Sequence, residues 1–249
     1  MSVTLHGGRA HLNGVTFYTD KFISKAYREK DEIKVSVKER KMKSHFYDRI
    51  PFLRGIMLLI EMLLMNPIPI ICICIMSVIM LSVGDEVSGS PQQVSTLRII
   101  EPYILPGLFF VIALVIRSTK IGRYHAAEHM TAKTFSKGID LTVNNVMKQS
   151  RVYESCGTNL VVFMVVTFFL LSLFNLNVWI CFILTWSISY EIFCVEEGWI
   201  KRVVLPFYWI GGVAQYFLFT SKPTEKEVLV AMASAKELIR RDVKEVKNE

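Results

Sequence analysis

The sequence predicts an all-α integral membrane protein with about four transmembrane helices, a re-entrant or interfacial helix, and a small N-terminal cytoplasmic β meander. Three observations lead there. Hydrophobic residues make up 52% of the 249 and mean hydropathy is +0.37, more apolar than an ordinary water-exposed domain. Long apolar runs recur near residues 56–83, 99–116, 158–174 and 178–193. If these runs cross, only Arg98 of the 29 Lys and Arg residues falls outside, which places both termini on the cytoplasmic side. The chain then divides into a β region (1–50), two membrane helices (51–117), a cytoplasmic helical hairpin (118–158), further membrane helices with a re-entrant segment (159–219), and an amphipathic C-terminal helix (220–249).

The elements follow in order. Asn13-Gly14 lies between two short alternating runs, a strong hairpin signal, and Ile33, Val35 and Val37 alternate with polar residues as a half-exposed strand would. The first apolar run is broken at Asn66-Pro67-Ile68-Pro69, so a half-buried helix carrying Glu61 precedes the span proper. Residues 84–98 form an outer loop, and 99–116 return the chain to Arg117, Lys120 and Arg123. Residues 122–136 are helical and stop at Gly138; Thr142 caps a second helix running toward Tyr153. Two short spans turn at Asn175-Leu176-Asn177, and Val203–Phe219 is interrupted by Pro206 and Gly211-Gly212. Thr224-Glu225-Lys226-Glu227 is a capping box, followed by an apolar stripe of Val228, Met232, Ala235, Leu238 and Ile239.

A net charge of +7 fits topology and contact with anionic lipid better than nucleic-acid binding, and no nucleic-acid-reading motif is present. Membrane lipids and a protein partner at the basic cytoplasmic face are the expected partners. Cys72, Cys74, Cys156, Cys181 and Cys194 form no C-x-x-C pair and imply no disulfide. The first fifty residues lack the apolar core of a cleavable signal peptide.

The chemistry concentrates at His125, Glu128 and His129. Their i, i+3, i+4 spacing puts two imidazoles and a carboxylate on one helix face, in the order H-x-x-E-H, where two histidines hold a metal and the glutamate activates water. The plainer alternative gives the histidines ordinary hydrogen bonds and the glutamate an ion pair with Arg123 or Lys133. The helical hairpin returns Cys156 to the same neighbourhood.

Gly7-Gly8-Arg9-Ala10, Asn13-Gly14-Val15, Arg49-Ile-Pro-Phe-Leu-Arg54-Gly55, Tyr124-His-Ala-Ala-Glu-His129, Ser150-Arg151, Cys156-Gly157-Thr158, Tyr190-Glu191-Ile192 and Thr220 to Pro223 occur in one order. In this the chain resembles the bacterial membrane family DUF1385, the YqhQ-like proteins. The resemblance implies a multi-pass protein of the bacterial cell membrane and a metal-dependent enzyme of unknown reaction. It also implies His125, His129 and Cys156 as metal-site residues, Glu128 as the catalytic one, and Glu61 and Glu191 as companions in the metal site. The chain departs from the family pattern at Asn13, where a glutamate is typical, and at Tyr153-Glu154-Ser155, where His-Pro-Arg is typical. The leading expectation is a divalent metal, zinc for instance, serving hydrolysis of a lipid-linked or membrane-surface substrate. A scaffold with a structural polar or metal site is the alternative, and a transporter ranks last.

Overall fold

The computed structural model describes residues 5, 7–40, 46–65, 110–174 and 176–246. It resolves two compact units: Met1–Ser44 with Ala113–Val166 and Ile192–Glu249, and His45–Ile112 with Thr167–Glu191.

The first unit is built on four strands, β1 (Gly7–Ala10), β2 (Gly14–Tyr18), β3 (Phe22–Glu29) and β4 (Glu32–Glu39), paired antiparallel in sequence order. The register places Val15 opposite Ala26 and Arg9 opposite Thr16. Because side chains alternate across a strand, Val15, Phe17 and Ala26 all turn to one face and are fully buried there. That face is covered by helices. Among the described residues the helices are α1 (Leu53–Met65), α2 (Lys120–Ser136), α3 (Val143–Met147), α4 (Gly157–Ser172), α5 (Val178–Phe193), α6 (Trp199–Ala214) and α7 (Glu225–Val246), while residues 110–118 are helical as well.

Helix α7 packs along β2, β3 and β4, and α2 packs on α7 and β1. Val228, Ala231, Met232, Ala235 and Leu238 lie one helical turn apart and join Tyr124, Ala127 and Met130 of α2 with Phe17 in a single core. The Ser234 hydroxyl donates to the Ser24 carbonyl at 2.8 Å, satisfying a backbone group inside this contact. Helix α7 starts at the capping box, where the Thr224 N–H donates to Glu227 at 2.8 Å. Helix α2 ends at Gly138, whose φ of +65° suits glycine. Thr142 accepts from the Asn145 N–H at 3.3 Å and caps α3, which ends at Met147 and does not run on toward Tyr153.

In the second unit the start of α1 is fastened to α5. Arg54 pairs with Glu191 through two hydrogen bonds of 2.8 and 2.6 Å. Trp186 Nε1 donates to the Gly55 carbonyl at 2.7 Å, and the Ser187 hydroxyl to the Phe52 carbonyl at 2.6 Å. Phe52 sits at φ +68°, a costly conformation for a bulky residue. Its carbonyl contact and the bond from its N–H to Glu191 over-determine it.

Two expectations are corrected here. The chain is not all-α, because a four-stranded sheet forms one wall of its main core. Nor is a multi-pass protein of the cell membrane supported, since among the described residues no helix is long and apolar enough to cross a membrane. Helices α4, α5 and α6 are 16 residues each, against roughly 20 needed to span the hydrocarbon layer. The apolar runs at 158–174 and 178–193 have the composition of spans and lack the length. In the expected re-entrant segment, α6 carries Lys201 and Arg202 and buries Val204 and Tyr208 against Phe163 of α4. The cytoplasmic placement of the termini rested on counting those spans and loses its basis with them. The expected break at 66–69, outer loop at 84–98, Asn175 and most of the 99–116 run lie outside the described residues.

The capping box makes stability depend on pH. Burial alone would raise the Glu227 carboxyl, but the bonds from Thr224 and the Arg123 guanidinium turn it below the usual carboxylate range. A depressed carboxyl stabilises the fold above its unfolded pKa and loses that contribution as pH falls through the folded value. Glu227→Gln should therefore cost on the order of 1 kcal/mol at pH 7, with the gap to wild type closing below pH of roughly 4. Urea unfolding at both pH values measures this.

Candidate metal centre

Helix α2 carries both histidines one turn apart, His125 partly buried and His129 buried. His129 is 1% exposed. Two neighbouring segments complete their surroundings. The first is the loop from Ser150 to Cys156, held by polar contacts: Asn159 Nδ2 donates to the Glu154 carbonyl at 2.7 Å, and Gln215 Oε1 accepts from the Tyr153 N–H at 2.8 Å. Asn159 fits because position 211 is glycine, where a Cβ would fall 1.8 Å from its Oδ1.

The second segment is the π-helical turn Gln215–Phe219 that extends α6. It closes with the Thr220 N–H on the Gln215 carbonyl at 2.8 Å. Arg117 donates to the carbonyls of Tyr216 and Thr220 at 2.7 and 3.0 Å, placing a cation at this helix end. The Phe219 carbonyl is left to face α2.

His125 Nδ1 donates to the Phe219 carbonyl at 3.3 Å, and His129 Nδ1 donates to the Arg151 carbonyl at 2.7 Å. A carbonyl can only accept, so both Nδ1 atoms carry the proton and both Nε2 atoms present a lone pair. The ring centroids are 4.3 Å apart and the planes meet at 65°. Cys156 Sγ lies 3.6 Å from His125 Nε2. Donor atoms of His125, His129 and Cys156 all lie within 4.8 Å of one another. The arrangement is a possible His/His/Cys metal site.

Electrostatics favour neutral imidazoles. Burial lowers the His125 pKa, and burial together with the neighbouring His125 brings His129 down to about 3. Burial pushes the Cys156 thiol up. Glu128 is buried beneath β1, and burial pushes its carboxyl up to about 8. It contacts the strand at Gly8, where a Cβ would sit 2.4 Å from its Oε1. Burial raises Tyr153 and Cys156 first, with a smaller contribution from Glu128 to each, and Glu128 is not among the three clustered donors. Tyr153 lies beside His129, with ring centroids 5.8 Å apart.

A sequence model described as "Protein of unknown function (DUF1385)" matches residues 67–241. The chain belongs to the DUF1385 family. It is similar to "Uncharacterized protein YqhQ" of Bacillus subtilis (strain 168), 24% identical over 162 residues, or 61% of this chain and 51% of that one. The chain thus spans about half the length of the curated relative it matches. No solved structure matches it.

The cluster of three donors in this DUF1385 protein contains neither Glu61 nor Glu191. Glu61 accepts from the Tyr47 hydroxyl at 2.6 Å, and Glu191 is bound to Arg54 and the Phe52 N–H. Sequence reasoning missed Gln215, Asn159 and the two carbonyls. Gln215 gave a usable signal, a lone amide within an apolar run, which must find partners when buried; backbone carbonyls give none.

The close approach of Glu128 to β1 is testable. Gly8→Val forces a branched side chain onto a buried carboxyl and should destabilise the fold by about 1–3 kcal/mol. Gly7→Ala, next to it but with open space at its Cβ, meets no such clash, although its φ of +145° adds some backbone strain. Denaturant titration of both variants should rank Gly8→Val as the more damaging.

Proposed function

We propose that His125, His129 and Cys156 bind one divalent metal ion, zinc, and that this DUF1385 protein is a metal-dependent hydrolase. The observation carrying this reading is the pair of Nδ1–carbonyl bonds, which leave both Nε2 lone pairs unused beside a thiol that lies 3.6 Å from His125 Nε2. Metal-bound histidines are oriented in this way. Distances agree: for zinc–nitrogen bonds of about 2.0–2.1 Å and a zinc–sulfur bond of about 2.3 Å, a tetrahedral angle separates nitrogen and sulfur by roughly 3.6 Å. The gap between Cys156 Sγ and His125 Nε2 is 3.6 Å.

Two nitrogens and one thiolate match the soft-to-intermediate donor set that zinc accepts, and three protein ligands are the pattern of catalytic rather than structural sites. When bound, such an ion supplies Lewis acidity at its open position. The chain's own residues supply the rest. The Phe219 and Arg151 carbonyls fix the tautomers, and the buried Glu128 carboxyl, raised by burial to about 8, would take up and return a proton. A second reading, a structural metal in a scaffold protein, is favoured by one observation: Cys156 and His129 are 8% and 1% exposed.

Elemental analysis separates these readings. Wild-type protein should carry one zinc per chain, and His125→Ala, His129→Ala and Cys156→Ser should each lose most of it. Glu128→Gln should keep the metal and lose turnover of an ester panel by about 100-fold or more. Bound metal whose removal lowers the melting temperature, with no turnover by wild type, supports the scaffold. Wild-type protein without metal removes both.

A further inference from the structure

On the other side of the Ser150–Cys156 loop's first residues lies a cleft of about 370 Å³, lined by Met130, Met147, Gln149, Ser150, Arg151, Tyr216, Lys222 and Pro223. Its lining includes two cations and no carboxylate. Arg151 is held flat, its guanidinium carbon 3.9 Å from the centroid of the Tyr216 ring. Among the described residues neither Arg151 nor Lys222 forms an ion pair. The Arg151 Nε is buried with no hydrogen-bond partner. A buried donor on a charged group costs several kcal/mol of lost hydration unless an acceptor meets it. Two cations lining one cleft also repel each other when no anion stands between them.

We propose that this cleft binds the phosphate group of a small phosphorylated molecule, gripped by the Arg151 guanidinium and the Lys222 ammonium. The planar fork of arginine offers paired N–H groups to two oxygens of one phosphate, and stacking on Tyr216 orients that fork before the ligand arrives. Lysine adds a mobile point charge. A phosphate dianion matches two cations in charge, whereas a carboxylate would leave one unbalanced. The volume lies at the lower end of small-molecule sites.

Arg151 also joins the cleft to the histidine pair. Its carbonyl accepts from His129 Nδ1 at 2.7 Å, and the same residue lines the cleft. The assignment of the cleft rests on Arg151 and Lys222 alone. The idea that its ligand is the substrate rests in addition on the metal-hydrolase reading.

Isothermal titration in EDTA, which keeps metal out of the measurement, tests the cleft by itself. Inorganic phosphate, glycerol 3-phosphate and acetate are titrated into the full chain, its Arg151→Gln and Lys222→Gln variants, and the control Lys148→Gln. Saturable binding of either phosphate compound is expected, weakened about tenfold or more by Arg151→Gln and several-fold by Lys222→Gln, with less than a twofold change in the control. Tighter binding of glycerol 3-phosphate identifies a phosphomonoester, and tighter inorganic phosphate the free ion; either supports the site. Lys222 is exposed, so its variant remains informative if Arg151→Gln unfolds. No saturable phosphate binding by wild type, acetate binding as tight as phosphate, or unchanged affinity in Lys222→Gln overturns the proposal. Failure of the zinc measurements leaves this result standing, and the reverse holds too.

Discussion

The centre of this protein depends on two hydrogen bonds from imidazole Nδ1 atoms to backbone carbonyls, one at Phe219 and one at Arg151. Two histidines one turn apart on a buried helix need not converge. Each ring could rotate about its side-chain bonds to meet a separate partner. Fixing one nitrogen of each ring to a rigid peptide removes that freedom, and the remaining nitrogens then point where the fold directs them. The rest of the first unit can be understood as what holds those two carbonyls still.

The Phe219 carbonyl is positioned by a π-helical last turn, closed by Thr220 on Gln215 and anchored by Arg117. The Arg151 carbonyl is available because its loop is pinned through Gln215 and Asn159, with Gly211 making room for the asparagine. Helix α2 is placed by its packing on α7 and β1. The sheet is therefore not peripheral: β1 meets Glu128 through Gly8, and Phe17 shares a core with α2 and α7. Burial is the cost of this arrangement. It forces both imidazoles neutral and leaves a carboxyl, a thiol and a guanidinium nitrogen with little hydration, which is the condition under which a ligand gains most by entering.

Local signals in the sequence carried much of the first unit. Asn13-Gly14 marked the turn between β1 and β2, although three residues rather than two separate the strands. Thr224 and Glu227 marked the start of α7, and the i, i+4 spacing of His125 and His129 gave their common face. What the sequence could not carry was length in three dimensions. Apolar runs at 158–174 and 178–193 counted as spans by composition, yet the helices stop at Ser172 and Phe193 after 16 residues each. Glu61 stood out as a carboxylate in an apolar helix and Glu191 through the family resemblance, and each meets a partner, Tyr47 and Arg54, that only the fold brings near. Peptide carbonyls have no letter of their own, so the bonds that matter most at the centre were not legible at all.

X-ray absorption at the zinc edge of the purified protein tests the proposed metal centre most directly, because it reads the ligand atoms. The account predicts two nitrogen scatterers at about 2.0–2.1 Å and one sulfur at about 2.3 Å, with the sulfur shell lost in Cys156→Ser. A shell of nitrogen and oxygen alone in the wild-type protein would contradict it.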